Sequence, residues 1–121
     1  MKNNFILIQG DIKMEITDVK IRKIFDEGPM KAVVSVTFDH ALALHDVKVI
    51  NARDKFFVVM PSRKNPDGTY RDIVHPINSV MRSSLEETVI GAYFKLLKYI
   101  EDGIATAPNA DKFEVAEVFA D

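Results

Sequence analysis

Cysteine is absent from the 121 residues, which removes disulfide scaffolds, thiolate zinc sites and cysteine nucleophiles in one step. Long apolar runs are missing as well. Phe5-Ile6-Leu7-Ile8 is the one candidate for a targeting core, but it is short, has only Lys2 ahead of it, and ends in Gln9-Gly10-Asp11 with no small-x-small cleavage site. No stretch approaches the roughly 20 apolar residues that a membrane helix requires. The chain therefore reads as soluble, unexported and cytoplasmic. An excess of one charge is lacking too: 16 Lys and Arg stand against 18 Asp and Glu, for a net charge of −2. Whole-molecule attraction cannot draw such a protein onto nucleic acid or an acidic membrane, so any polyanion site must be a local patch.

Motifs that carry chemistry are equally scarce. Ser62, Ser79, Ser83 and Ser84 have no Gly-x-Ser-x-Gly setting to hold an exposed nucleophile, and the glycines form no phosphate-cradling loop. His40 falls in a turn, His75 precedes Pro76 at a strand end, and neither has a second ligand at metal spacing. His45 and Asp46 are strand neighbours, so their side chains are expected on opposite faces, with His45 on the side of Val47 and Val49. Nothing assembles an active site, and no metal, cofactor or small-molecule substrate is implied.

What is present is a chain with 47% hydrophobic residues, enough for one domain with a real core and not for two. Met14-Glu15-Ile16-Thr17-Asp18 looks like a natural beginning, which makes residues 1–13 an N-terminal extension, 14–102 the domain and 103–121 an acidic C-terminal tail. Residues 16–25 alternate until Ile24 breaks the phase, so a bulge is expected after Arg22. Asp26-Glu27-Gly28-Pro29 is turn chemistry. Residues 30–38 then place Ala32, Val34, Val36 and Phe38 on one face and Val33, Ser35 and Thr37 on the other. Residues 42–50 form a half-exposed third strand. The centre of the chain is residues 56–72, where the apolar Phe56 to Met60 run, which suits a central strand or one covered on its second face by a helix or a partner subunit, opens into a basic loop over 61–65. A Pro66-Asp67-Gly68-Thr69 turn leads to a fifth strand over 70–74, ended by His75-Pro76.

The period changes at Ile77. Asn78 or Ser79 caps a helix in which Met81, Leu85, Val89, Ala92, Leu96 and Ile100 recur at helical spacing, widened by Ile90, Phe94 and Leu97, up to a stop at Asp102-Gly103. Gly91 within it reflects either a close backbone approach or simple drift. Residues 111–121 form a short final helix or stay loose. The fold class is α+β: an antiparallel, hairpin-rich sheet followed by one long helix, with a short C-terminal extension.

Basic residues remain as the functional lead. Arg63 and Lys64 project from the loop, and Arg71 lies across the hairpin, so three cations are placed to converge at one end of the sheet and hold phosphates. Lys20 and Arg22 share a strand face that would extend this patch. Asp67 and Asp72 are the carboxylates that would neutralise it. On the helix, Lys95 and Lys98 lie about 60° apart with Arg82 well away from both, so the three define no single basic face.

These residues also carry a resemblance. ITDVKIRKIF, MKAVVSVTFD, HDVKVI and MPSRKNPDGTYRDIVHPINS closely resemble the SpoVG family, over roughly residues 14–97. The resemblance implies a bacterial cytoplasmic homodimer with a curved antiparallel sheet followed by a helix. It further implies a regulator of septation, sporulation or virulence that acts by binding DNA and, in some members, RNA. Arg63 and Lys64 match the family's SRK motif, and Arg82 matches the arginine after its HPINS-x-x opening; binding in the family is attributed to positive residues, particularly around the post-sheet helix. Val80-Met81 departs from the polar pair common at that point, which favours burial or dimer packing for the helix. The alternative reading is a protein-interaction module that recruits a division or regulatory partner through a sheet edge or the apolar helix face.

Overall fold

A computed structural model describes residues 14–109. The expectations for residues 1–13 and 111–121 lie outside them. Four strands, β1 (Ile16–Ile24), β2 (Met30–Phe38), β3 (Leu42–Ala52) and β4 (Lys55–Val59), form one antiparallel sheet in the order β1-β2-β3-β4. Two short strands, β5 (Ser62–Lys64) and β6 (Tyr70–Asp72), pair only with each other, and the helix α1 (Ser79–Glu101) follows. The basic stretch expected as a loop is thus a strand, and the fifth expected strand stops at Asp72. The 60s hairpin leaves the sheet as a separate ribbon because buried Pro61, which has no amide proton, follows β4.

The register is irregular in both ladders of β2. Shifts fall between Ile16 and Asp18 and between Ile21 and Lys23 in β1, and between Met30 and Ala32 and between Val34 and Val36 in the pairing of β2 with β3. Each inserts an unpaired residue that bends and twists its strand. The bulge expected after Arg22 occurs at Arg22 itself. The other three shifts were not expected, and one of them matters most: Val34 pairs with Val47 but Val36 pairs with Leu44, with Asp46 in left-handed backbone at φ 64°. This slip moves His45 off the face of Val47 and Val49, to the side of Ser35.

One face of the sheet carries the core. Ala32, Val34, Val36, Phe38, Val47, Val49 and Val58 are buried against Leu85, Val89 and Tyr93 of the helix. These helical residues recur every four positions, continuing to half-buried Met81 and Leu97. Tyr93, rather than the expected Ala92, therefore leads the inward face, and Ala92 and Leu96 turn toward β1. Phe94 is exposed yet meets Phe56 edge to face at 4.8 Å, a pairing worth about 1 kcal/mol beyond area burial. Gly91 is exposed and a Cβ there meets nothing within 4 Å, so no close backbone approach requires it.

Both helix ends are capped. Asn78 Oδ1 accepts the Met81 amide at 2.7 Å, satisfying one of the free N-terminal donors. At the other end Gly103, at φ 78°, donates to the Ile100 carbonyl while Ile104 donates to the Tyr99 carbonyl at 2.8 Å, a Schellman arrangement that favours glycine. The chain then returns to the sheet, where the Ile24 amide donates to the Pro108 carbonyl at 3.4 Å and Lys23 bridges Asn109.

Candidate nucleic-acid interface

The β5–β6 ribbon is built by its turn. Asn65 and Gly68 close it through the Gly68 amide to the Asn65 carbonyl at 3.0 Å, with Gly68 at φ 94°, left-handed backbone that an L side chain adopts only with strain. Asp67 Oδ1 accepts both the Thr69 hydroxyl at 2.7 Å and the Thr69 amide at 3.0 Å. The Thr69 hydroxyl, then the Thr69 amide, hold the Asp67 carboxyl below its usual range. Asp67 therefore ties the turn, and among the described residues it makes no ion pair with Arg63, Lys64 or Arg71.

Across the ribbon, Arg63 pairs with Arg71, Ser62 with Asp72, and Lys64 with Tyr70. Residues directly opposite on antiparallel strands share a face, with Cβ atoms about 5 Å apart, and neighbours along a strand point to opposite faces. Arg63 and Arg71 therefore stand together. Lys64 lies on the other face with Tyr70, so the expected convergence of three cations reduces to a pair. All six ribbon residues are exposed, and neither arginine has an ion-pair partner among the described residues.

The other candidate cations lie elsewhere. Lys20 and Arg22 sit on β1, the sheet edge opposite β4, about 14 Å away across three strand spacings, and so do not extend the ribbon patch. Lys20 pairs with Ser35 and so stands with Arg22 on the sheet face turned from the helix, whereas Lys95 and Tyr99 line a groove of about 770 Å³ between the helix and the edge of β1. Lys95 Nζ also sits 5.9 Å from the centre of the Tyr99 ring. Lys98, two-thirds exposed, is held 3.5 Å from both Glu101 and Asp102, and such surface pairs contribute little to stability. Arg82 is exposed in the first helical turn, apart from the other cations in the chain's order on the helix.

A polar cluster on the second face of the sheet was not legible beforehand. Arg22 Nε donates to the Ser35 hydroxyl at 3.2 Å, and Ser35 Oγ lies 2.9 Å from His45 Nδ1. Burial, then the Arg22 charge, lower the His45 pKa, against a smaller opposing effect of Asp46. Arg22 and Ser35 are both only 7% exposed, which places the cluster as a polar tie between three strands and not as an accessible nucleophile and base. Burial also pushes the Tyr93 phenol up. Among the described residues no His, Asp and Glu cluster is arranged for a metal ion, and no helix is long and apolar enough to cross a membrane.

A small antiparallel sheet carrying one long helix defines an α+β protein that displays Arg63 and Arg71 together on an exposed ribbon. The SpoVG family model matches residues 14–95, and the chain belongs to the SpoVG family. A protein of Acetivibrio thermocellus named "Putative septation protein SpoVG" is 58% identical over 80 residues, covering 66% of this chain and 85% of that protein. Relatives of the same name from Clostridium kluyveri and Caldanaerobacter subterraneus subsp. tengcongensis are 52% identical over 83 residues and 54% over 82. These alignments cover 69% and 68% of this chain, and 86% and 90% of the respective relatives.

Proposed function

We propose that the protein is a cytoplasmic regulator linked to septation, sporulation or wider gene regulation, which binds DNA or RNA through the β5–β6 ribbon as a homodimer. The names of its relatives support the septation link. The observation that carries the nucleic-acid reading is the Arg63–Arg71 pair. Like charges directly opposite on a two-stranded ribbon cost stability, and folding alone gives no reason to set two guanidinium groups side by side. Two phosphate oxygens of a nucleic-acid backbone would supply the missing counter-charge with forked hydrogen bonds.

Dimerisation is supported by an apolar surface next to the ribbon. Ile73, Ile77 and Val80 are more than two-thirds exposed, and Leu42, Val74, Pro76 and Met81 line an apolar cleft of about 150 Å³ beside them. A second copy held at fixed distance doubles a small patch and raises apparent affinity without any new contact. The same surface supports the alternative, a module that binds a division or regulatory protein and no nucleic acid.

Fluorescence anisotropy of labelled duplex DNA, single-stranded DNA and RNA, titrated with salt, decides between them. With about four phosphates engaged by the dimer, affinity falls by about two orders of magnitude over a fourfold rise in salt, and Arg63→Ala/Arg71→Ala removes most of the binding. Absence of saturable binding to all three probes would turn the assignment to the protein-interaction reading.

A further inference from the structure

Among the described residues, six of the ten exposed large apolar side chains gather at one end of the domain: Met14, Leu42, Ile73, Val74, Ile77 and Val80. Met14, Leu42 and Val74 line the apolar cleft, and each of the other three is the sequence neighbour of a lining residue. His75 is the one titratable residue of that lining, so the cleft offers little to a phosphate or a charged peptide. Its volume of about 150 Å³ also falls below the roughly 300 Å³ at which small-molecule sites begin. What fits is one or two apolar side chains.

The chain carries such side chains next to the cleft. Phe5-Ile6-Leu7-Ile8 is a run of consecutive apolar residues in the extension that precedes the domain, and that extension enters at the cleft itself. Met14 is a lining residue, and Glu15 is fixed beside it: the Glu15 amide donates to Asp39 Oδ1 at 2.9 Å, while the Asp39 amide donates to the Glu15 carbonyl at 2.8 Å. Ile8 and Met14 are six residues apart, a tether that reaches up to about 20 Å. Gly10-Asp11 within it is turn chemistry that lets the chain reverse. So short a tether holds the run at an effective concentration on the order of millimolar, and closure removes apolar surface from water on both sides. A second copy has no such tether.

We infer that Phe5–Ile8 fold back over the cleft and the flanking Val80 of their own chain, as an intramolecular cover that takes the place of a second copy. The cover does not rest on the dimer reading, whereas its competition with a second copy does. Each protomer covered about nine-tenths of the time weakens pairing about tenfold, so the extension sets the concentration at which the domain associates.

The test uses the full chain, which has no cysteine, so Asn4→Cys gives a single site for a nitroxide spin label. In methyl-labelled protein the Leu42, Val74 and Val80 signals should broaden, and Ile6→Asp/Leu7→Asp in the same labelled chain should relieve most of the broadening. Dilute mixtures of spin-labelled chains with separate methyl-labelled chains should show none. Sedimentation equilibrium without the label should find the dimer of Ile6→Asp/Leu7→Asp tighter by about tenfold or more. The inference is overturned if those methyls do not broaden, or if the broadening persists in the variant, which would make it an effect of the tether alone. It is equally overturned if broadening arises between separate chains, which would seat the run of a second copy there, or if a dimer forms and is no tighter in the variant. Monomers in both proteins, with the broadening lost only in the variant, would support the cover and count against the dimer reading alone.

Discussion

Ser35 Oγ stands 2.9 Å from His45 Nδ1 because the strand that carries His45 gains a residue at Asp46. Without that bulge His45 would share the face of Val47 and point into the core. With it, an arginine, a serine and a histidine from three adjacent strands meet on the second face of the sheet. Each element contributes one group, and the cluster fastens β1 to β2 to β3 at two of their bulges.

This tie has a pH dependence of defined sign. The folded protein lowers the His45 pKa below its ordinary 6.5, so the unfolded chain takes up the proton first. The stabilisation is fully present above the unfolded value and is lost as pH falls through it toward the lower folded one. Urea unfolding between pH 7.5 and 5 should show stability declining through this window, well above the range in which Asp67 titrates. His45→Gln should flatten the decline, and an unchanged slope in that variant would remove His45 as its cause.

Arg71→Glu separates function from stability. It turns the like-charge pair with Arg63 into an opposite-charge pair on the same ribbon face, and should raise stability by about 0.5 kcal/mol. Nucleic-acid binding should drop by at least about tenfold, because one phosphate contact becomes a repulsion. Denaturation and anisotropy on the same preparation read both changes, and a fall in stability with intact binding would contradict both expectations.

Two glycines should respond in opposite directions to the same substitution. Gly91→Ala places a methyl where nothing lies within 4 Å and should stabilise the helix by about 1 kcal/mol. Gly103→Ala forces a Cβ into left-handed backbone at φ 78° and should cost about 1 kcal/mol. Paired thermal melts distinguish the two.

Val80→Asp tests the apolar surface. Val80 is 78% exposed in the first helical turn, which holds no acidic residue, so a carboxylate there favours the helix dipole by a few tenths of a kcal/mol. The monomer should fold at least as well, while sedimentation equilibrium should show the proposed dimer dissociating. A dimer that survives the charge would place the interface elsewhere.

Much of this molecule was legible from period alone. The alternation in Met30–Phe38 located four core residues and the helical recurrence after Ile77 located the helix, while its ends were marked by residue type, Asn78 or Ser79 at the start and Asp102-Gly103 at the stop. Arg22 announced its bulge through the broken phase at Ile24. The bulge at Asp46 gave no such signal, because residues 42–50 contain enough apolar side chains for either register to look amphipathic. The hairpin at Arg53-Asp54 lies within the polar stretch 51–55 that reads as a turn, but its type is silent: both residues adopt left-handed backbone, at φ 57° and 63°, without the Asn or Gly that usually marks such a turn. Positions of charge were harder still. Arg63, Lys64 and Arg71 are near in sequence, yet pairing parity puts Lys64 on the wrong face. Lys20 and Lys95, far apart in the chain, stay apart in the fold, because Lys20 pairs with Ser35 on the sheet face that the helix does not cover.

The order of strands in the sheet repeats their order in the chain, and this has a kinetic consequence. Every strand pairing closes over a connection of a few residues, so the sheet can zip from hairpin to hairpin with little loop entropy to overcome at each step. The contact between Lys23 and Asn109 is different, since it must wait until the helix has crossed the finished sheet. The outer edge of β1 is thus among the last places to be closed as the chain folds, and it is met as an open edge by whatever else is present at that moment.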